Sequence, residues 1–227
     1  MKNVIIVGGS RGIGAATLNR LLPNNRVFNL SRTAPSVSHP NLEHHTVDVL
    51  EDDLPDLDSA DVLVYCPGSI NLKPITMLKE SDFEADFRIN LMGAVRAVKK
   101  YLPLLKKSEK ASILFFSTVA VKMGMPFHAS VASAKGAIEG LTRSLAAELA
   151  PNIRVNCIAP TLTDTDLAKN ILRSEKARTR LAEKNPLKKI MQADDIAACA
   201  EYLIDGERFA INGQVIHVDG ALSSIQT

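Results

Sequence analysis

The chain has 227 residues, 46% of them hydrophobic and 23% charged, with a formal net charge of +2. That length and balance predict one large α/β domain spanning 1–227 with a substantial core, and no low-complexity tract or repeat marks a disordered or fibrous chain. No basic block with interleaved aromatics occurs and Trp is absent, so charge makes no case for nucleic acid.

Met1–Asn3 lead into the apolar run Val4–Val7, which stops at Gly8. It is too short for a signal or membrane-spanning segment, so structure is expected to start almost at residue 1. Strand-length apolar runs then recur at 3–7, 26–31, 43–47, 61–65, 111–117, 153–158 and 214–218, with helical patterns between them. Strands alternating with helices predict a parallel sheet covered on both faces. Across 82–105, Phe83, Phe87, Leu91, Ala94, Val98, Leu102 and Leu105 recur at intervals of three or four, the stripe of one long amphipathic helix. A second long helix is expected around 131–149, with Pro151 just beyond its end. The polar stretch 161–190, rich in Lys and Arg and interrupted by Pro186, reads as a helical excursion outside the sheet where a lid would sit. Cys66, Cys157 and Cys199 are widely spaced and show no C-x-x-C pairing. They indicate neither a disulfide framework nor a metal site, and fit a reducing cytosol.

Directly after the first strand stands Gly8-Gly9-Ser10-Arg11-Gly12-Ile13-Gly14, followed by helix-forming residues. Glycines let the backbone turn tightly and approach a pyrophosphate, which the free N–H groups of the helix N-terminus attract. The second strand ends in Ser31-Arg32, with no acidic residue where an NAD-selective site holds the ribose hydroxyls. Arg32, helped by Arg11, suits a 2′-phosphate, which favours NADP(H) over NAD(H). Arg32 is otherwise an ordinary surface arginine.

From the glycine turn to the C-terminus the chain resembles the short-chain dehydrogenase/reductase family. The resemblance rests on the glycine turn, Asp48-Val49, Asn90-Leu91-Met92-Gly93, Ser117-Thr118, Ala134-Lys135-Gly136-Ala137, Arg154-Val155-Asn156 with Pro160, and Gly213–Gly220. It implies a Rossmann-type, doubly wound parallel sheet of about seven strands that reduces carbonyls or oxidises alcohols with NAD(P). It places the cofactor on Gly8, Ser10, Arg11, Gly12, Ile13, Gly14, Ser31, Arg32, Asp48 and Val49 at one end. Cys66, Pro67, Gly68, Asn90, Lys135, Pro160, Thr161, Leu162 and Thr163 take the other end. The family's catalytic set is an Asn, a Ser, a Tyr and a Lys, the Tyr four residues before the Lys. Here Asn90, Thr118 and Lys135 match, but the position of the Tyr holds Val131. Valine cannot donate a proton, and a positioned acid contributes about 10²- to 10⁴-fold.

Two further departures border the nicotinamide half. The family's Asn-Asn-Ala-Gly reads Tyr65-Cys66-Pro67-Gly68, and the Gly after Pro160 is Thr161. His128, one helical turn before Val131, is a candidate proton donor or else a surface or capping residue. Tyr65, at the end of the fourth strand, is a second candidate or else a packed core tyrosine; Tyr101 and Tyr202 read as structural. Met123, Met125 and Phe127 read either as walls of a partly hydrophobic ligand pocket or as core. The expected function is NADPH-dependent reduction of a small carbonyl compound, or its reverse on an alcohol, by an atypical site. The alternative is a non-catalytic NADP(H)-binding sensor or partner subunit. The resemblance also implies pairing of the two long helices into a homodimer or homotetramer, and neither membrane nor nucleic acid is an expected partner.

Overall fold

The computed structural model describes residues 1–205 and 210–226. Seven parallel strands form one sheet: β1 Lys2–Val7, β2 Asn25–Ser31, β3 Leu42–Thr46, β4 Val62–Tyr65, β5 Ala111–Phe116, β6 Ile153–Pro160 and, last in the chain, β9 Val215–Val218. Their order is β3-β2-β1-β4-β5-β6-β9, so the winding direction reverses between β1 and β4. Side chains alternate across the sheet. Ile5, Val7, Leu63, Tyr65, Ile113 and Phe115 face one helical layer, while Val4, Ile6, Val62, Val64 and Leu114 face the other. Both faces are covered, which is why the central strands β1 and β4 read as largely apolar runs.

On one face lie α1 Gly12–Leu21 and α7 Ala193–Ile204, packed through Leu18, Leu21, Ile196, Ala200 and Leu203. Arg20 clamps the pair by bonding Asp194 at 2.6 Å and Glu201 at 3.1 Å. On the other face lie α3 Gly93–Leu105 and α5 Ala129–Leu149, which bury Ala94, Ala97, Tyr101, Ile138 and Ala146.

The helix expected as one piece over 82–105 is two helices, α2 Glu80–Phe87 and α3, joined by a widened turn at Arg88–Met92 in which the Gly93 N–H bonds the Arg88 carbonyl. Such wide turns free a carbonyl from the helical ladder, and here Tyr65 Oη donates to Ile89 O at 2.6 Å. A short helix, α4 Val119–Met123, precedes α5. Within 161–190 the chain forms α6 Glu175–Glu183 and the strand β7 Thr163–Asp164, which pairs in parallel with β8 Met191–Gln192. Arg178 ties α6 to β7 through Asp164 at 2.6 Å. Among the described residues, no helix is long and apolar enough to cross a membrane.

Candidate active site

Open α/β sheets present ligand sites at the carboxyl ends of their strands, beside the point where strand order reverses. β1 ends at Val7 and α1 begins at Gly12, whose φ of +54° an L side chain rarely adopts. A Cβ on Gly14 would collide with the Gly8 carbonyl oxygen, so close packing of α1 against the turn requires glycine there. Arg11 stands at the N-cap without a side-chain cap bond, and no side chain there competes with an anion for the first N–H groups.

At the end of β2, Asn29 is fully buried; its Oδ1 accepts from Gly9 N at 2.9 Å, and its Nδ2 donates to Ser31 Oγ at 2.9 Å and Ser10 Oγ at 3.2 Å. The two serine hydroxyls are 2.6 Å apart, and Ser10 also donates to the Thr33 carbonyl. They floor a groove walled by Gly8, Arg11, Arg32, Asp48, Val49 and Pro67. Arg32 is 79% exposed and stands 3.8 Å from Asp48, a pairing worth little in solvent that leaves its guanidinium available to a phosphate. Asn29 was not singled out from the sequence, although a lone amide in the apolar run Val27–Leu30 is the signal a buried polar anchor leaves.

The other end of the edge is a cleft of about 450 Å³. Ile13, Cys66, Gly68, Thr118 and Lys135 line it, as do Pro160, Thr161, Leu162 and Thr163 after β6. Lys135 is 8% exposed, and its Nζ donates to Phe116 O at 2.7 Å. Burial pulls its ammonium down to about 8, against the opposing pull of Cys157, Cys66 and Asp86. Burial also pushes both thiols up to about 12. Asn90 lies in the widened turn, 1% exposed, and its Nδ2 donates to Ser69 Oγ at 2.9 Å and Asp86 O at 2.8 Å. Its Oδ1 is buried and has no partner.

A Cβ on Gly68 would stand 3.1 Å from Asn90 Oδ1 and 3.2 Å from Lys135 Nζ. Gly68 therefore packs directly against an orphaned acceptor and an ammonium, with little room for a side chain. A buried acceptor of this kind calls for a donor, and the neighbouring Lys135 ammonium is the nearest group able to supply one. With the glycine turn and the Ser10–Ser31 groove on the same edge, the residues present fit a nicotinamide dinucleotide.

Val131 lies on α5 one turn before Lys135, 5% exposed, with its methyls in the cleft wall. His128 is the N-cap residue of α5, just outside the helix, and also lines the cleft. His128, Val131 and Lys135 thus share one side of α5. The His128 Nδ1 lies 2.7 Å from Pro126 O; with Nδ1–H donating to that carbonyl, Nε2 is the free nitrogen. Thr118 Oγ1 accepts from Ala120 N at 3.3 Å and caps α4.

Tyr65 is 2% exposed, spends its hydroxyl on Ile89 O, and is pushed upward by burial, so it is the packed tyrosine. Tyr101 is buried and donates to Pro55 O at 3.0 Å. Tyr202 departs from its expected place in the packing: it is 49% exposed, because it lies on the outer side of α7. Met123 and Met125 are cleft walls and not core, at 42% and 39% exposed; Phe127 is 56% exposed. Leu167, Ile171 and Leu181 from the 161–190 excursion close the opposite side.

A family model described as "Enoyl-(Acyl carrier protein) reductase" matches residues 37–223. The chain is 32% identical over 163 residues to a 3-oxoacyl-[acyl-carrier-protein] reductase FabG of Thermotoga maritima, a match covering 71% of this chain and 65% of that protein. Among solved structures it superposes on a short chain dehydrogenase family protein from Francisella tularensis with a TM-score of 0.90 at 26% identity, covering 99% of this chain and all of that one. ElxO with NADP bound superposes with a TM-score of 0.88 at 26% identity, covering 99% and 100% of the two chains.

Proposed function

The chain belongs to the short-chain dehydrogenase/reductase family, and from that premise we propose that it is an NADPH-dependent reductase of a small, largely apolar carbonyl compound, with a proton donor other than the family's tyrosine. The observation that carries this reading is the sheet edge on which the glycine turn, the Ser10–Ser31 groove and the cleft lined by Lys135 adjoin. The bound NADP of the similar ElxO structure supports the cofactor assignment. Ser10, Ser31, Arg11 and Arg32 take the adenosine 2′-phosphate, and this favours NADP(H) over NAD(H).

The nicotinamide, when bound, supplies the hydride. The chain's own residues do the rest. Ile70, Leu72, Met123, Met125 and Leu162 exclude water from the cleft. The Thr118 hydroxyl donates to the carbonyl oxygen, and protonated His128 gives up its Nε2 proton to the oxygen as negative charge develops there. The 161–190 excursion acts as the lid. Met92, half exposed at the start of α3, adjoins the face on which two copies pair as a homo-oligomer. A second reading, a cofactor-binding protein without turnover, is favoured by the valine methyls at position 131.

NADPH and NADH titrations by fluorescence, followed by NADPH oxidation against a carbonyl panel, separate the two. Turnover in the parent that is lost in His128→Ala supports the reductase with a rerouted proton. Binding without turnover, with activity appearing in Val131→Tyr, supports the second reading. Binding of neither nucleotide overturns both.

A further inference from the structure

We infer that Asp86 is a positioning residue of this site: its carboxylate sets the direction of a hydrogen-bond chain through Ser69 that turns the Asn90 carbonyl oxygen toward Lys135. The inference rests on the reductase reading above. Asp86 lies on α2, 2% exposed, and accepts from Ser69 Oγ and from Ser130 Oγ, each at 2.5 Å. An ionised carboxylate only accepts. The single Ser69 proton therefore goes to Asp86, and the Ser69 oxygen is left to accept from Asn90 Nδ2 at 2.9 Å. The Asp86 main-chain oxygen accepts from the same amide nitrogen at 2.8 Å. Both amide protons are then used, and Oδ1 must face the opposite way, toward Gly68 and Lys135.

None of the motifs that carry the family resemblance contains Asp86, Ser69 or Ser130. The network joins three segments distant in sequence: α2, the turn after β4, and the first turn of α5, directly before Val131. A buried carboxylate works against stability unless fully bonded, so a mere filler at position 86 would be better apolar. Asp86 also acts through its charge. The groups that oppose the desolvation of Lys135 are Cys157, Cys66 and Asp86. Both thiols are pushed up to about 12 by burial, and the Asp86 carboxyl is the oxygen group that raises Lys135 against its burial.

The test measures NADPH affinity by fluorescence across pH in the full chain, with thermal melts as a fold control. In the parent, affinity falls as Lys135 loses its proton near pH 8, because the charge-assisted bond is the stronger one. Asp86→Asn, whose amide can donate to Ser69 and reverse the chain, is expected to move this inflection to lower pH by about half a unit or more. Ser69→Ala releases the Asn90 amide without altering charge. It is expected to weaken NADPH about 10-fold with the inflection in place, and Ser69→Thr, which keeps the hydroxyl, to restore affinity. Asp86→Asn with parental affinity and inflection, or Ser69→Thr no better than Ser69→Ala, overturns the inference while the reductase reading stands. A parent that binds no NADPH overturns both.

Discussion

The Tyr65 hydroxyl at the end of β4 donates to the carbonyl of Ile89 at 2.6 Å, so a core strand supports the widened turn that carries Asn90. The same hydroxyl occupies the space that a Cβ on Gly93 would need. One glycine, one phenol and one freed carbonyl together set where Asn90 stands relative to Lys135.

That relationship predicts non-additive costs. Tyr65→Phe leaves a buried carbonyl unpaired and should cost about 1–3 kcal/mol in urea denaturation. Gly93→Ala should cost more, since the methyl strikes the hydroxyl. The double variant should cost less than the sum, because the phenyl ring lacks the struck atom. Strictly additive costs would show that the two side chains do not meet.

Gly68→Ala presses a methyl against Asn90 Oδ1 at 3.1 Å and Lys135 Nζ at 3.2 Å. Its expected effect falls on binding, with NADPH affinity reduced about 100-fold by loss of two polar contacts and a melting temperature close to that of the parent. Undiminished affinity would mean that the cofactor does not use this place.

Lys135→Met separates stability from function. Burial lowers the ammonium from 10.5 to about 8. Below that value, holding it charged works against folding by about 3 kcal/mol. Methionine removes that penalty but leaves Phe116 O unpaired, which returns about 1–2 kcal/mol. The variant should therefore be more stable than the parent at pH 7 by about 1–2 kcal/mol. The advantage should fade as pH rises from 8 toward 10.5, where the lysine is neutral folded or unfolded. NADPH binding should be lost. A variant less stable than the parent at pH 7 would show that the Phe116 bond outweighs the desolvation.

Arg32→Ala tests cofactor choice. Loss of a charge-assisted bond at an exposed site should weaken NADPH about 10-fold and leave NADH unchanged, read by parallel fluorescence titrations. An equal loss for both would place Arg32 on a group the two cofactors share.

Much of the scaffold was legible before any packing was known. The apolar-rich runs at 3–7 and 153–158 became Lys2–Val7 and Ile153–Pro160, since a strand buried on both faces is dominated by apolar residues. The glycine turn was legible for the same kind of reason: Gly12 and Gly14 meet demands set by their neighbours in the chain.

Local sequence also determined a negative, that position 131 holds no proton donor one turn from Lys135. Only the tertiary structure decided which groups surround that gap. The stripe over 82–105 does not reveal the widened turn at 88–92, because the hydroxyl that satisfies its free carbonyl arrives from β4. Asp86, Ser69 and Ser130 are ordinary polar residues in the sequence, separated by 17 and 44 positions. They become one buried network when α2 and α5 close over the turn after β4. Periodicity records which face of an element leaves water; which side chains then meet at the sheet edge depends on how the crossovers lay helices from distant parts of the chain against it.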